Sequence, residues 1–413
     1  MSQFAEPSSA RQPRHPEIGV VALVHDFWGP SWQARHYTLS RLARNFRVLW
    51  MEPALELRPL LQPHNRRWRR PRHDAVAGLE VYRPEWWLPL IGRPRWLADF
   101  TFRARLRRAR QQLLDLGCKK IVLYLWRPEF AAALKLLPHD LSCYHIDDEY
   151  SFSSIEVPLS PEEEALIRSV GQVFIHSPAM IEKKGHLNPN TRFAPNGVDY
   201  SAFSRPSCEP EDLKPIAHPR VAYCGGLKQV LDWPLLLELT SRHPEWSFVF
   251  VGSVRPHAEV PEYMRQLASR QNVFFLGSKT TEQLGAYLQH FDLCLMPYIR
   301  NDYTKYIYPL KLHEYLASGC PVVSSPIRTV RDFLQVVLPA SSPEEWSRMI
   351  ERGLSAQENT AERRAQRQRV ARTYDWDGLV ENIAATIAHR LGVHFPAGGR
   401  QQPEHSSLSI LTS

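Results

Sequence analysis

The feature that most limits what this chain can become is a rhythm. Short apolar runs each end in a polar or glycine-containing loop, and a stretch of helical periodicity follows. IGVVALVHDFWG opens the series, and RVLWMEP, KKIVLYLWRP, LSCYHIDDE and GQVFIHSP continue it as far as RFAPNGVD. A short apolar run bounded by turn residues reads as a strand covered on both faces, the situation in a parallel sheet. SWQARHYTLSRLARNF supplies a helix in which Trp32, His36, Leu39 and Leu42 share one face, and RARLRRARQQLLDLG supplies another. A second series follows: PRVAYCGG, WSFVFVG, NVFFLG, LCLMPY and CPVVSS alternate with DWPLLLELTSRH, PEYMRQLASRQ, TTEQLGAYLQHF and PLKLHEYLASG. Strands alternating with helices predict an α/β chain with two Rossmann-like, doubly wound domains facing across a cleft.

The boundaries follow from composition. Residues 1–16 read as a disordered lead, 17–200 as the first domain, 201–217 as a Pro-rich, charged linker and 218–375 as the second domain. Residues 376–395 read as a helix crossing back to the first domain, and 396–413 as a disordered tail. With 413 residues, 43% hydrophobic and 23% charged, the chain has material for two cores and is neither disordered nor collagen-like. No apolar run approaches the ~18–20 residues of a membrane span. The polar N-terminus shows no signal peptide. The six cysteines, at 118, 143, 208, 224, 294 and 320, form no C-x-x-C pair, so neither zinc nor a disulfide framework is expected. Strand-like settings such as Cys224 and Cys294 suit reduced buried thiols and a cytoplasmic location.

In open α/β sheets ligands bind outside the carboxyl ends of the strands, so the loops there should carry function. The strongest signal is Pro309-x-Lys311-x-x-Glu314-Tyr315-Leu-Ala317-x-Gly319-x-Pro321. A proline suits the first turn of a helix, and helix N-termini hold phosphate oxygens. Glu314 lies three residues after Lys311 and so on the same side. A carboxylate there can accept two hydroxyl hydrogen bonds from a ribose while Lys311 meets a diphosphate.

PLKLHEYLASGCPVV resembles the nucleotide-binding signature of the GT-B glycosyltransferases, specifically the bacterial glycosyl transferases group 1, the glycogen-synthase-like branch. PNGVDYSAF, YCGGLKQVLDWPLLLELTSRHPEWSFVFVGS, NVFFLGSKTTEQLGAYLQHFDLCLMPY and TYDWDGLVENI resemble further family segments in the same order. The likeness covers roughly residues 190–390 well and the N-terminal half loosely. It implies a UDP- or GDP-sugar donor held by the second domain, with no cofactor or metal required. It assigns the ribose to Glu314, the phosphates to the loop amides of Gly225 and Gly226 with Lys228, and a weaker phosphate or sugar contact to Thr304 and Asn301. Glu314 matches the second Glu of the family's E-x-x-x-x-x-x-x-E pattern; eight residues earlier, where the first Glu contacts the donor sugar in retaining members, stands Tyr306. That departure puts a retaining mechanism in question and fits an inverting one. Tyr298, Tyr303, Tyr306 and Tyr308 serve equally well as a stacking face or as core.

An acceptor hydroxyl must lose a proton as it attacks, and a cleft-facing carboxylate or His can take it. Asp148, at the end of LSCYHI, is the favoured base, with Asp147 close behind; Asp26 beside His25 forms a second candidate.

Arg58–Arg110 holds fourteen Arg, no Lys and four acids, a balance of +10 in a chain whose total is +8. Within it, Arg66, Arg67, Trp68, Arg69, Arg70, Trp86 and Trp87 interleave cations with indoles, which suits an anionic membrane surface. The expectation is therefore a peripheral glycosyltransferase at the cytoplasmic face of the membrane, acting on a lipid-linked or polysaccharide acceptor in exopolysaccharide or cell-envelope glycan synthesis. A non-catalytic scaffold, a nucleotide-sugar epimerase and, more remotely, a nucleic-acid-binding protein are the alternatives; no nucleic-acid partner is expected.

Overall fold

The computed structural model describes residues 12–29, 32–54, 76–90, 94–150, 158–254 and 260–396. The first domain is a seven-stranded parallel sheet of order β3-β2-β1-β4-β5-β6-β7. Its strands are β1 (His15–Leu23), β2 (Phe46–Met51), β3 (Leu79–Tyr82), β4 (Lys120–Leu125), β5 (Leu141–Ile146), β6 (Gln172–Ile175) and β7 (Thr191–Phe193). Val20–Leu23 sits between Val48–Met51 and Val122–Leu125 and is at most 1% exposed, as a run apolar at every position requires. Helices α1 (Ala34–Leu42), α2 (Arg95–Asp115), α3 (Pro161–Ser169) and α4 (Pro178–Lys184) belong to this domain.

The second domain is a six-stranded parallel sheet of order β10-β9-β8-β11-β12-β13. It comprises β8 (Arg220–Cys224), β9 (Ser247–Val251), β10 (Val273–Phe275), β11 (Leu293–Met296), β12 (Val322–Ser324) and β13 (Val337–Pro339). Helices α5 (Trp233–Arg242), α6 (Thr281–Gln289) and α7 (Leu310–Ser318) lie among these strands. α7 starts after Pro309, and Gly319 ends it at φ +80°, a backbone state that suits glycine. The strand order reverses between β1 and β4 in one sheet and between β8 and β11 in the other. The loops after those strands therefore flank the crevice of each sheet.

The last helix, α8 (Trp376–Arg390), is capped by Asp375 and lies on α1 of the first domain. Trp376 stacks on Tyr37 with ring centres 5.5 Å apart, and Arg41 meets Asp377 at 2.7 Å. Arg390 reaches Asn190 at 3.0 Å and Lys120 donates to Leu391 O at 2.6 Å.

Two boundaries differ from the sequence expectation. The lead of 1–16 is too long, because His15 already pairs with Phe46 and its N–H donates to Asn45 O at 2.8 Å; residues 1–11 lie outside the described residues. Residues 201–217 are more than a linker: Tyr200–Ser204 is helical, and Phe203, Leu213 and Ile216 are buried. Three apolar anchors at irregular spacing leave no periodic signal, so composition alone conceals them. The expected tail from 397 on, like Arg66, Arg67, Trp68, Arg69 and Arg70, lies outside the described residues. Among those described, no helix is long and apolar enough to cross a membrane.

Candidate active site

On the first domain the loops after β1, β4 and β5 converge. Asp147 and Asp148 follow β5, and the next residue anchors them from behind. Glu149 meets the Lys184 ammonium at 2.9 Å, and Lys184 meets Glu163 at 2.9 Å, all three side chains at most 1% exposed. A buried ammonium shared by two carboxylates holds α3, α4 and this loop in one geometry; removing one partner would leave an uncompensated charge.

Asp147 is fully engaged. Arg35 of α1 donates to its Oδ2 at 2.6 Å, and Tyr150 donates to its Oδ1 at 2.5 Å. Burial disfavours its charge, but Arg35 and the Tyr150 hydroxyl outweigh burial and hold the carboxyl below its ordinary value. The same Arg35 pairs with Asp26 and donates to His25 Nε2 at 3.0 Å. Burial and then the Arg35 charge push the His25 imidazole down, so it is a neutral acceptor here.

Asp148 is held differently. Its Oδ1 accepts from the Glu149 N–H at 2.9 Å. Burial, and then the Asp147 charge, push it up to about 6. Two side chains of the second domain bear on it across the cleft: Tyr303 donates a hydrogen bond, and the Lys228 charge lies near enough to favour its ionised form. Arg127, after β4, stacks on Tyr150 at 4.5 Å and adds positive charge beside both acids. Of the three predicted bases, Asp26 and Asp147 are spent on Arg35, and Asp148 is the one facing the second domain.

On the second domain, Lys311 of α7 lies across the β8 loop. Its Nζ is 3.1 Å from Tyr298 Oη and 4.8 Å from the Tyr223 ring centre. A Cβ on Gly225 would come within 2.8 Å of Lys311 Cε, and φ there is +142°, so the lysine fits because position 225 is glycine. Gly252 shows the same need more sharply, since a Cβ there would lie 1.9 Å from Gly225 O. Glu314, half-buried, accepts no hydrogen bond among the described residues. Burial pushes its carboxyl up to about 7 against the opposing pull of Lys311. Its charge acts on Tyr37 of the first domain, which hydrogen-bonds Thr281 at the start of α6. Glu314 therefore lies where the two domains meet.

Three expectations change. The Gly225 N–H donates to Val251 O at 2.8 Å and is unavailable to a phosphate; the Gly226 N–H donates to nothing among the described residues. Thr304 is 1% exposed and its hydroxyl donates to Ile299 O at 2.7 Å, while Asn301 Oδ1 accepts from Thr304 N at 2.8 Å. The Thr304 hydroxyl is thus spent on its own loop, while Asn301 braces that loop through its side-chain oxygen and is itself exposed. Tyr306 and Tyr308 are each 3% exposed and belong to the cores. Arg35 was missed: within QARHY it reads as one more polar residue of an amphipathic helix, and only the fold brings β1, β5 and α1 to one point.

Two doubly wound parallel domains, meeting where each sheet's carboxyl edge carries its charged loops, make this a protein of GT-B fold. Residues 219–356, about a third of the chain and most of the second domain, match the family model described as glycosyl transferases group 1. The sequence resemblance thus holds in fold throughout, and the family model matches over most of the second domain. TuaH of Bacillus subtilis (strain 168), assigned by name to teichuronic acid biosynthesis as a glycosyltransferase, is 28% identical over 196 residues, 46% of this chain and 48% of that protein. The chain spans about half the length of the curated relative it matches. Sucrose-phosphate synthase from Thermosynechococcus elongatus superposes with a TM-score of 0.68 at 15% identity, covering 91% of this chain and 99% of that one. Anabaena HepE in complex with UDP and glucose superposes with a TM-score of 0.61 at 17% identity, covering 91% and 100%.

Proposed function

We propose that the protein is a glycosyltransferase that moves a sugar from a nucleotide diphosphate sugar, UDP- or GDP-linked, to a glycan acceptor. The acceptor is lipid-linked or a growing polysaccharide at the cytoplasmic face of the membrane, in exopolysaccharide or cell-envelope glycan synthesis. One observation carries the reading: Glu314, half-buried at the junction of two Rossmann-like domains, accepts no hydrogen bond among the described residues and stands one helical turn from a lysine lying on the Gly225 loop. Ribose hydroxyls supply the donors that such a carboxylate lacks. The group 1 match over the same residues, and the UDP and glucose in the HepE structure, support it.

In this reading Asp148 takes the proton of the acceptor hydroxyl as its oxygen attacks the anomeric carbon, and the bond to the diphosphate breaks. Charge develops on the departing diphosphate. Lys311, Lys228 and the Gly226 N–H are the groups that stabilise it, and preorganised cations and amides act strongly where water is excluded. A single displacement by a base-activated hydroxyl inverts the anomeric centre. Asp147, Asp26 and Arg35 position the loop, and the Asp147 charge adds to burial in raising Asp148.

Thermal shift against UDP, GDP and their sugars tests this directly, since a ligand at 100 times its Kd adds roughly 2.7 kcal/mol to stability. Stabilisation by one nucleotide series that is lost in Glu314→Ala is the expected result. No stabilisation by any nucleotide would leave a scaffold reading, and consumption of donor without acceptor would leave an epimerase.

A further inference from the structure

Among the described residues, seven large hydrophobic side chains stand out as exposed, and five fall within fifteen consecutive positions of the first domain. They are Trp86 (64%), Trp87 (50%), Leu90 (49%), Trp96 (69%) and Phe100 (63%). Scattered exposed hydrophobics are ordinary, whereas a contiguous group marks contact with another body.

The group is a built platform. Tyr82, the last residue of β3, donates its hydroxyl to Glu85 Oε2 at 2.8 Å, and Leu88 N closes a turn on Glu85 O at 2.9 Å. Arg105 of α2, itself 4% exposed, donates to Leu88 O and Pro89 O, both at 2.8 Å. Arg108 pairs with Glu85 at 2.9 Å, and its guanidinium stands 4.9 Å from the Trp87 ring centre. Leu88 points into the core. Two guanidiniums thus pin a turn that turns one leucine inward and holds two tryptophans out. On α2, Thr101, Arg105, Leu106, Ala109 and Leu113 face inward. The outward stripe at steps of four, three and four residues reads Trp96, Phe100, Arg103, Arg107, all exposed: two aromatic rings, then two cations.

Its place in the fold matters. All strands of the sheet are parallel, so the segment after β3 and the first turn of α2 lie at the carboxyl edge, the edge that carries Asp26, Arg127 and Asp148. Arg83 meets Glu52 at 3.4 Å, and Glu52 accepts from the Trp28 N–H at 3.1 Å. The platform is thereby tied to the β1 loop of the site.

We propose that this platform seats the first domain on an anionic lipid bilayer, with the rings of Trp86, Trp87, Trp96 and Phe100 at the headgroup level and Arg103 and Arg107 on the lipid phosphates. Indole rings favour that level, and long Arg side chains keep an apolar stem in it while the charge stays in water. The stretch Arg58–Arg110, with fourteen Arg and four acids, is complementary to an anionic leaflet. A second copy of the chain would bring the same positive balance against itself and be repelled. The consequence for the site rests on the glycosyltransferase reading: an acceptor approaching from the rim beside the platform comes from the plane of the membrane. The docking itself does not depend on that reading.

The test is cosedimentation of the full chain with phosphatidylcholine vesicles, with and without phosphatidylglycerol. Binding should require phosphatidylglycerol. It should weaken roughly tenfold or more in W96S/F100S, from the lost burial of two rings, and similarly in R103E/R107E, from the lost attraction to the leaflet. Both variants should keep the wild-type melting temperature and UDP shift. Absence of binding to anionic vesicles, binding unchanged in W96S/F100S, tighter binding to single-stranded oligonucleotides than to vesicles, or a soluble dimer that W96S/F100S dissolves would each overturn the proposal. Vesicle binding by a protein that shows no shift with any nucleotide would sink the donor reading and leave this one standing.

Discussion

Arg35 and Asp147 form a 2.6 Å ion pair in which each side chain is only 7% exposed, and this pair decides which of two adjacent acids stays charged. Asp147 keeps its charge, and that charge adds to burial in raising Asp148 to about 6. The basic form of Asp148 is the ionised one, so kcat at saturating donor, with Glu314 already engaged by the nucleotide, should fall as pH drops through about 6. In Asp147→Asn the second cause of the elevation is gone while burial remains, so the acid limb should move to lower pH. Asp148→Asn should cost roughly 10²–10⁴ in kcat with donor affinity changed by no more than about twofold. A limb that stays in place in Asp147→Asn would remove Asp148 from the role of base.

Glu314 makes a prediction about stability as well as binding. Burial raises its carboxyl from an ordinary 4.5 to about 7, so between these values the folded chain binds more protons than the unfolded one. Stability is then lost as pH rises from 4.5 to 7 and stays lost above. The ceiling is on the order of 3 kcal/mol, from ~1.4 kcal/mol per unit. Glu314→Gln, which cannot ionise, should therefore melt higher than wild type at pH 8 and equal to it near pH 4. The same variant should bind UDP more weakly, because an amide accepts through one oxygen where a carboxylate accepts through two. Equal melting temperatures at pH 8 would mean that the carboxylate is solvated and outside the cleft.

Gly225 and Gly226 look alike in sequence and should behave differently. Gly225→Ala combines φ +142° with a Cβ 2.9 Å from Lys311 Nζ, and that ammonium is confined by Tyr223 and Tyr298. A cost of about 1–3 kcal/mol is expected from the backbone alone, with a weaker donor KM as Lys311 is displaced. At Gly226 the closest atom is Lys228 Cε at 3.1 Å, the far end of a flexible side chain. Gly226→Ala should hold its melting temperature. The pair of melting curves checks this, and equal losses would contradict the packing described.

What could be read in the sequence follows the range of the interactions involved. Five of the six strands of the second domain, the helix after Pro309 and the spacing of Lys311 and Glu314 depend on local pattern, and the fold reproduces them; β13, three residues long, shows no such pattern. β3, four residues long with only Leu79 and Tyr82 buried, carries too little pattern to be seen. Arg35 acquires meaning only when α1 is laid against the ends of β1 and β5, 112 residues from its partner Asp147. Thr304 misleads for the opposite reason. Its place before α7 suggests a ligand contact, but a hydroxyl near a turn is as readily taken by its own backbone. The Ile299 carbonyl takes it here.

Tyr306 offers the sharpest test of stereochemistry. A retaining enzyme of the resembled family keeps a carboxylate on the donor sugar at this position, eight residues before Glu314. Here the ring is 3% exposed among first-domain core residues, with the Lys183 ammonium 5.0 Å from its centre. The loop after β11 thus spends this position on joining the domains. Tyr306→Glu would place a carboxylate in that core instead of on a sugar, at a cost of roughly 2–4 kcal/mol that Lys183 only partly offsets. The variant should melt several degrees lower and transfer sugar with unchanged stereochemistry. With Tyr306 buried where that carboxylate would stand and Asp148 facing the second domain, the wild-type product should carry the inverted anomeric configuration, read from the proton coupling of the new linkage by NMR. A product with the donor's own configuration would mean that Asp148 is not acting as a base on the acceptor, and the role assigned to the Arg35–Asp147 pair would go with it.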